Sequence, residues 1–320
     1  MSRRLVVVLP MLEESLRCRI RSEAESRGFE VLFFDREEEA LPALAEAEIL
    51  LSQSAALPGY APALRWICTP SAGVDHFLSA GVLFPPKPLL SNSSGAYGVA
   101  ISEHIVMVAL EMLRRQTDYT EIVRRREWIR DLPVQSLRDS RITLLGTGDI
   151  GREAALRLRA FGPRCLLGVN RGGSNPRGLF DRVLPVGKLD TALPETDILI
   201  LSLPGTAETR GLLDARRLDL LPDRALLINV GRGSAVDLPA LESRLRAGRL
   251  RAALDVFPEE PLPRDASLWD CPNLLITPHV AGNMTLPWTR ERIVALFLED
   301  LENYCAGKPL IRQIDFRRGY

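Results

Sequence analysis

Residues 141–151 read RITLLGTGDIG, in which an apolar segment runs directly into glycines spaced as G-x-G-x-x-G. A helical pattern, Asp149–Ala160, follows at once. In this context Gly146 permits a tight turn, Gly148 lets the backbone approach a pyrophosphate, and Gly151 lets helix and strand pack closely. The phosphates then face the free N–H groups and the positive dipole end of the helix. The residues predicted to bind a dinucleotide here are Gly146, Thr147, Gly148, Asp149, Ile150 and Gly151.

Short apolar segments alternate with amphipathic ones on both sides of this loop. Alternation of this kind is typical of βα units around a parallel sheet. Two such series predict an α/β protein with two doubly wound parallel-sheet domains, a Rossmann cofactor domain and a flavodoxin-like substrate domain. The predicted strands are Arg4–Leu9, Glu30–Phe34, Glu48–Leu51, Arg65–Cys68, Arg141–Leu145, Cys165–Val169, Asp197–Leu201, Ala225–Asn229, Arg251–Asp255 and Asn273–Thr277.

Two long helical patterns, Val99–Arg115 and Pro287–Ala306, mark the predicted crossings between the domains. A chain of 320 residues also exceeds what one ordinary core accommodates. We therefore predict a substrate domain formed by residues 1–98 and 288–320, and an NAD(P)-binding domain formed by residues 99–287.

Composition excludes several classes of function. Lys+Arg and Asp+Glu both total 41, so the net charge is zero and no basic surface for nucleic acid is expected. The apolar run Leu5–Leu9 is too short for a signal peptide or for a membrane span of about 20 residues. Five scattered cysteines favour a reducing compartment, and three histidines without metal-ligand spacing predict no metal site. We expect a cytoplasmic protein without membrane or nucleic-acid partners.

The strand after the glycine loop indicates which cofactor is used. NAD sites usually carry an acid at the end of this strand, whereas the segment here reads NRGGS and the next acid is Asp181. Asn170 and Ser174 can donate to a 2′-phosphate, and Arg171 can pair with it. The sequence therefore favours NADP(H) within the NAD(P) class. The alternative, in which Arg171 points to solvent and NAD is used, stays open.

Three later segments place polar residues directly after apolar runs: INVGRG at 228–233, LDVFPEEPLP at 254–263 and TPHVAG at 277–282. Ligands bind beyond the carboxyl ends of parallel strands, so these residues can converge. Arg232 suits the carboxylate and carbonyl of a 2-keto acid. His279 suits proton donation, and Glu260 beside it favours the charged ring and orients it. A nicotinamide would carry the hydride.

With these motifs in this order, the sequence resembles the D-isomer-specific 2-hydroxyacid dehydrogenases nearly from end to end. The resemblance implies hydride transfer between NAD(P)H and a small 2-keto or 2-hydroxy acid of D configuration. It also implies a homodimer formed through the helix from Val99 and the arm around Trp128. The residues it implies are the catalytic Arg232, Glu260 and His279; Asp255 at the nicotinamide amide; Leu203, Pro204, Val230, Gly231 and His279 around the cofactor; and Ala72, Gly73, Arg232 and His279 at the substrate.

Within this family the NADP(H) signal favours reduction of glyoxylate or hydroxypyruvate. One alternative is phosphoglycerate dehydrogenase-like oxidation, which would want extra cations near residues 71–75, where none is obvious. Another is a cofactor-sensing binding protein of the same fold, for which a partner-binding extension would be expected. The complete Arg-Glu-His set favours the enzyme over a cofactor-binding protein without turnover.

Overall fold

The computed structural model describes residues 3–79, 87–175 and 178–319, and it divides into two compact units. One unit comprises Met1–Ala96 and Met284–Tyr320, and the other comprises Tyr97–Asn283. The crossings at residues 96/97 and 283/284 lie slightly before the predicted ones at 98/99 and 287/288.

The first unit is built on a parallel five-stranded sheet of order β2-β1-β3-β4-β5, which is the flavodoxin-like order. Its elements are β1 (Arg3–Val8), α1 (Glu14–Glu25), β2 (Phe29–Phe34), α2 (Glu37–Leu44), β3 (Ala47–Ser52), β4 (Trp66–Cys68), α3 (Asp75–Ser79), β5 (Leu89–Ser91) and, from the end of the chain, α10 (Pro287–Cys305).

Both faces of this sheet are covered, which explains why its strands read as continuous apolar runs. Leu5 and Val7 of β1 belong to one buried cluster, while Val6 belongs to a second cluster on the opposite face. The C-terminal helix α10 packs on the first cluster, where Phe297 stacks on Trp66 with ring centroids 5.3 Å apart. The end of the chain thus completes the core of the first unit.

The second unit is built on a parallel seven-stranded sheet of order β12-β11-β10-β9-β6-β7-β8. Its elements are α4 (Gly98–Leu113), α5 (Gln116–Arg124), β6 (Arg141–Leu145), α6 (Asp149–Arg159), β7 (Cys165–Asn170), β8 (Arg182–Pro185), α7 (Leu189–Ala192), β9 (Ile198–Leu201), α8 (Ala215–Leu220), β10 (Ala225–Asn229), α9 (Leu238–Arg246), β11 (Leu250–Leu254) and β12 (Leu274–Ile276).

The strand order of the second sheet reverses between β6 and β9. Such a switch point opens a crevice outside the carboxyl ends of the strands, where doubly wound proteins bind ligands. The glycine loop follows β6, and the polar segments named above follow β10, β11 and β12. The predicted fold class, two doubly wound parallel-sheet domains, is confirmed. Within the described ranges, no helix has both the length and the apolar character needed to span a membrane.

Candidate active site

The glycine loop between β6 and α6 is shaped by two close backbone approaches. Gly146 has φ = 100°, and a Cβ there would lie 2.8 Å from the carbonyl oxygen of Ser202. A Cβ at Gly151 would overlap the carbonyl oxygen of Gly146. Gly148 differs, since nothing lies within 4 Å of the position that its Cβ would occupy. Two glycines therefore serve packing, while the third leaves open space over the backbone, as a bound pyrophosphate requires.

The N-terminus of α6 can receive an anion. Gly148 is its N-cap residue, so no side chain caps the first turn, and the helix is 11 residues long. Its first N–H groups have no partner within the helix and carry the positive end of the dipole. The carboxylate of Asp149, which would repel a phosphate, lies against Gly98 of α4: a Cβ on Gly98 would be 2.5 Å from Asp149 Oδ2. This end of the helix fits the pyrophosphate of a dinucleotide.

The loop after β7 is held together by the side chain of Asn170. Its amide nitrogen donates to Thr147 Oγ1 (2.8 Å) and to the carbonyl of Ser174 (2.9 Å), and its Oδ1 accepts from the Gly173 N–H (2.6 Å). Both amide hydrogens are thus used inside the protein. Asn170 shapes this loop, and Arg171 and Ser174 are the exposed side chains that it presents. The Arg171 guanidinium lies 3.4 Å from Glu208 Oε2.

The turns after β9 and β10 touch each other through their backbones. A Cβ at Gly231 would lie 2.7 Å from the Leu203 nitrogen and 2.8 Å from its carbonyl oxygen. Only a glycine permits that approach without displacing the neighbouring turn. The structure thus brings Leu203-Pro204 and Val230-Gly231 together, beside the strand β6 that carries the glycine loop.

Asn229, a residue not singled out from the sequence, builds the turn that carries Arg232. The buried Asn229 side chain donates to the Arg232 carbonyl (2.9 Å) and accepts from the Gly231 N–H (3.1 Å). A Cβ at Gly233 would overlap the backbone of Phe257. The Arg232 turn is therefore packed on the segment that leads to Glu260. An asparagine ending a buried strand before a Gly-Arg-Gly turn is the signal that could have identified this role.

Glu260 and His279 form the central polar pair of the site. Glu260 Oε2 lies 2.7 Å from His279 Nδ1, and Glu260 Oε1 accepts from the Phe257 N–H at 2.8 Å. The peptide bond that follows Glu260 is cis. The side chains are 53% (His279) and 34% (Glu260) exposed, so the pair contributes orientation more than stability. With Nδ1 held by the carboxylate, Nε2 is the ring nitrogen that can give a proton to a ligand.

His279 sits in a turn that is fixed by the buried Asp255. The residue has φ = 53°, a left-handed conformation that is uncommon outside glycine. Asp255, only 2% exposed, accepts from the N–H groups of Val280 (2.9 Å) and Ala281 (3.0 Å) and from the hydroxyl of Thr277 (2.6 Å). The Asp255 carbonyl also accepts from the His279 N–H at 2.9 Å. The turn is thereby tied to the end of β11.

The other two histidines have different surroundings. His104 on α4 lies 3.2 Å from Thr277 Oγ1, and burial lowers the pKa of its imidazole, although the charges of Asp255 and Glu111 oppose this effect. His76 belongs to the first unit, where its Nε2 lies 3.0 Å from the Gln53 carbonyl. Within residues 3–79, 87–175 and 178–319, no three His, Cys, Asp or Glu side chains are grouped to hold a metal ion.

The loop after β4 in the first unit contains two neighbouring backbone N–H groups that have no acceptor among the described residues. The carbonyl of Ala72 accepts from the Asn92 amide (2.7 Å), and that of Gly73 accepts from the Ser71 hydroxyl (2.8 Å). No described residue of the chain accepts a hydrogen bond from the N–H of either Ala72 or Gly73. Two neighbouring free N–H groups can bind a carboxylate.

Comparison with known proteins gives the class to which this fold and site belong. The sequence profile of "D-isomer specific 2-hydroxyacid dehydrogenase, NAD binding domain" matches residues 106–281, more than half of the chain. The chain belongs to the D-isomer specific 2-hydroxyacid dehydrogenase family, which confirms the resemblance predicted from the motifs. It is an NAD(P)-dependent dehydrogenase of 2-hydroxy acids.

Several relatives are similar over most of their length. Glyoxylate/hydroxypyruvate reductase A of Salmonella newport (strain SL254) is 31% identical over 265 residues, 80% of this chain and 82% of that protein. A family member from Aeromonas salmonicida is 33% identical, with a TM-score of 0.87 over 99% of this chain and 100% of that one. The NADPH-dependent glyoxylate/hydroxypyruvate reductase of Sinorhizobium meliloti, solved with NADP and sulfate, is 27% identical, with a TM-score of 0.84 and the same coverage.

The glycine loop can be tested with two substitutions that separate binding from packing. We expect Gly148→Ala to leave the free energy of unfolding nearly unchanged, because its Cβ meets no atom, while weakening NADPH binding about tenfold or more by blocking the pyrophosphate. Gly151→Ala should weaken binding and also lower stability by about 1–3 kcal/mol through overpacking. Fluorescence titration and urea unfolding measure the two effects. Gly187→Ala, also in open space, is the control, and equal stability losses in both loop variants would contradict the assignment.

Proposed function

We propose that this enzyme reduces glyoxylate or hydroxypyruvate with NADPH. The observation that carries the proposal is the Glu260–His279 pair, 2.7 Å apart, next to the segment on which the Arg232 turn is packed. A guanidinium and an oriented imidazole are the groups that reduction of a short 2-keto acid requires. Two of the relatives described above carry the name glyoxylate/hydroxypyruvate reductase, and one is called NADPH-dependent, which supports the substrate and the cofactor.

The proposed reaction assigns a separate task to each side chain. The nicotinamide, when bound, supplies the hydride that reaches the carbonyl carbon. Arg232 binds the substrate carboxylate and polarises the carbonyl with its permanently charged fork. His279 delivers a proton from Nε2 to the carbonyl oxygen, while Glu260 holds Nδ1 and fixes the orientation of the ring. Because His279 is half exposed, solvent can reprotonate it after each turnover.

We assign the second unit to the cofactor and the first to the substrate. Residues 146–151 would hold the pyrophosphate, and Leu203-Pro204 with Val230-Gly231 would line the nicotinamide riboside. Asp255 already accepts three hydrogen bonds, and a carboxylate has about four acceptor positions, so one remains for the nicotinamide amide. In the first unit, the free N–H groups of Ala72 and Gly73 would contribute to binding the substrate carboxylate.

The preference for NADP(H) rests on the loop after β7. No acid follows this strand directly to accept ribose hydroxyls, and Arg171 is exposed on the loop that Asn170 shapes. Its partner Glu208 is a solvent-exposed carboxylate 3.4 Å away, a weak contact that a doubly charged 2′-phosphate can displace.

We also propose that the enzyme is a cytoplasmic homodimer formed through the segment after α4. Trp128 is 92% exposed, and Val123, Ile129 and Val134 nearby are also exposed. Clustered large apolar side chains of this kind mark protein interfaces.

We expect Trp128→Asp to reduce the sedimentation coefficient from that of a dimer to that of a monomer. A monomeric wild-type protein, or a variant that stays dimeric, would refute this interface.

The experiment that tests the function is steady-state oxidation of NADPH and NADH with glyoxylate, hydroxypyruvate, pyruvate and phenylpyruvate. We expect turnover with glyoxylate or hydroxypyruvate to give the highest kcat/KM, with NADPH preferred. A clear preference for pyruvate or phenylpyruvate would refute the substrate assignment. If the cofactor binds but no acid is reduced, the reductase proposal fails, and phosphorylated acids and cofactor sensing are tested next.

His279 is the side chain whose removal should affect chemistry most directly. We expect His279→Ala to lower kcat roughly 10²-fold or more, because the proposed mechanism assigns proton delivery to this side chain, while the Kd for NADPH stays nearly unchanged. Glu260→Gln keeps a hydrogen-bonding group beside Nδ1 and should lose less. Steady-state kinetics and fluorescence titration measure the two constants. Unchanged turnover in His279→Ala would remove this residue from the proposed mechanism.

Arg171 is the side chain whose change should alter cofactor choice. We expect Arg171→Asp to lower the NADPH/NADH ratio of kcat/KM at least about tenfold, because one charge-assisted contact to the 2′-phosphate is lost and a repulsive charge is added. Arg216→Asp makes the same charge change at an exposed pair with Asp190 and serves as the control. A ratio that shifts equally in both variants, or in neither, would rule out specific recognition by Arg171.

A further inference from the structure

A short hydrogen-bond chain runs from α4 to the turn that carries His279. Thr277 Oγ1 lies 2.6 Å from Asp255 Oδ1 and 3.2 Å from His104 Nε2. His104 Nε2 is itself 3.9 Å from Asp255 Oδ1, too far for a direct hydrogen bond. The threonine hydroxyl is therefore the link between the histidine and the carboxylate.

The direction of each bond in this chain follows from counting protons. A hydroxyl has one hydrogen, and the short contact to a carboxylate is the charge-assisted one, so Thr277 donates to Asp255. The same hydroxyl must then accept from His104, which requires the Nε2–H form of the ring. Burial lowers the pKa of His104, so at neutral pH the ring is an uncharged donor in a fixed tautomer.

Asp255 extends this hydrogen-bond chain to the backbone around His279. Its carboxylate accepts from the N–H groups of Val280 and Ala281, the two residues that follow the histidine. His279 has φ = 53°, a left-handed conformation that is strained for a residue with a Cβ, so the surroundings must maintain it. If Asp255 could turn, these N–H groups would lose their acceptor and the histidine could relax away from Glu260.

We propose that Thr277 and His104 are positioning residues that hold Asp255 in the rotamer that fixes the His279 turn. This inference rests on the proposed role of His279 as the proton donor. Neither side chain needs to touch the substrate or the cofactor for this purpose. The hydroxyl of Thr277 is the essential group, and His104 acts only through it.

The first test separates the effect on kcat from the effect on NADPH binding. We expect Thr277→Val, which keeps the shape and removes the hydroxyl, to lower kcat about 10- to 100-fold, because a displacement of about 1 Å has effects of that size. The Kd for NADPH should rise less than about tenfold, because at most one hydrogen bond, that of Asp255 to the nicotinamide amide, is weakened. Thr277→Ser should restore most of the turnover. Thr143→Val, which removes a buried hydroxyl that bonds Thr196 at 2.7 Å in the same unit, is the control and should keep kcat.

The second test asks whether His104 acts through Thr277. His104→Leu should lower kcat less than Thr277→Val, because the hydroxyl keeps its bond to Asp255, and the double variant should be no slower than Thr277→Val alone. Additive losses would overturn the chain. Unchanged kcat in Thr277→Val, an equal loss of NADPH affinity, or an equal loss of kcat in Thr143→Val would overturn the positioning role.

Amide hydrogen exchange in the ligand-free protein gives a measurement that needs no turnover. We expect faster exchange over residues 278–282 in Thr277→Val and wild-type exchange there in Thr277→Ser and Thr143→Val. Unchanged exchange in Thr277→Val would overturn the proposal. If the wild-type protein reduces no 2-keto acid, the proposed function fails while this measurement still tests the hydrogen-bond chain. If the wild type is active and Thr277→Val is equally active, only the positioning role fails.

Discussion

The site depends on how closely the backbones after neighbouring strands approach one another. Gly231 lies against Leu203, and Gly233 lies against Phe257, at distances that leave no room for a Cβ. These contacts join the turns after β9, β10 and the segment after β11 into one surface. Because parallel strands end at the same edge of the sheet, the joined turns bring side chains from distant parts of the sequence together. A larger residue at Gly233 would push the Arg232 turn away from the segment that leads to Glu260, and one at Gly231 would push it away from the turn after β9.

Buried polar side chains then hold the turns of this surface in one conformation. Asn229 ends β10 and Asp255 directly follows the neighbouring β11, and the side chain of each accepts hydrogen bonds from the backbone of the turn that it holds. Removing one partner from a buried hydrogen bond costs more than the bond itself contributes, since the remaining group stays unsatisfied. The exposed pair of Glu260 and His279 can therefore contribute little to stability and still be well oriented, because the buried groups behind it fix the conformation of the turns that carry it.

The sequence was most informative where an apolar run is buried on both faces and ends in turn residues. β6 and β10 have the predicted bounds, and the glycine loop and the Arg232 turn directly follow them, as the sequence pattern indicates. The edge strand β8 was missed because it is four residues long and none of them is buried. The link between Thr277 and His104 was also beyond prediction, since it joins residues 173 positions apart through side-chain geometry that no local pattern records.

Different kinds of interaction stabilise the two ends of the proposed cofactor site. At the catalytic end, buried carboxylate, amide and hydroxyl groups fix each turn, so a substitution there disturbs several bonds together. At the adenosine end, the proposed choice between cofactors would rest on the exposed Arg171 and its partner Glu208, whose contact is long and solvated. An exposed charge can change sign with little effect on folding. If these assignments hold, cofactor preference can change through single substitutions in this loop, whereas the proposed proton transfer depends on a network whose members must be kept together.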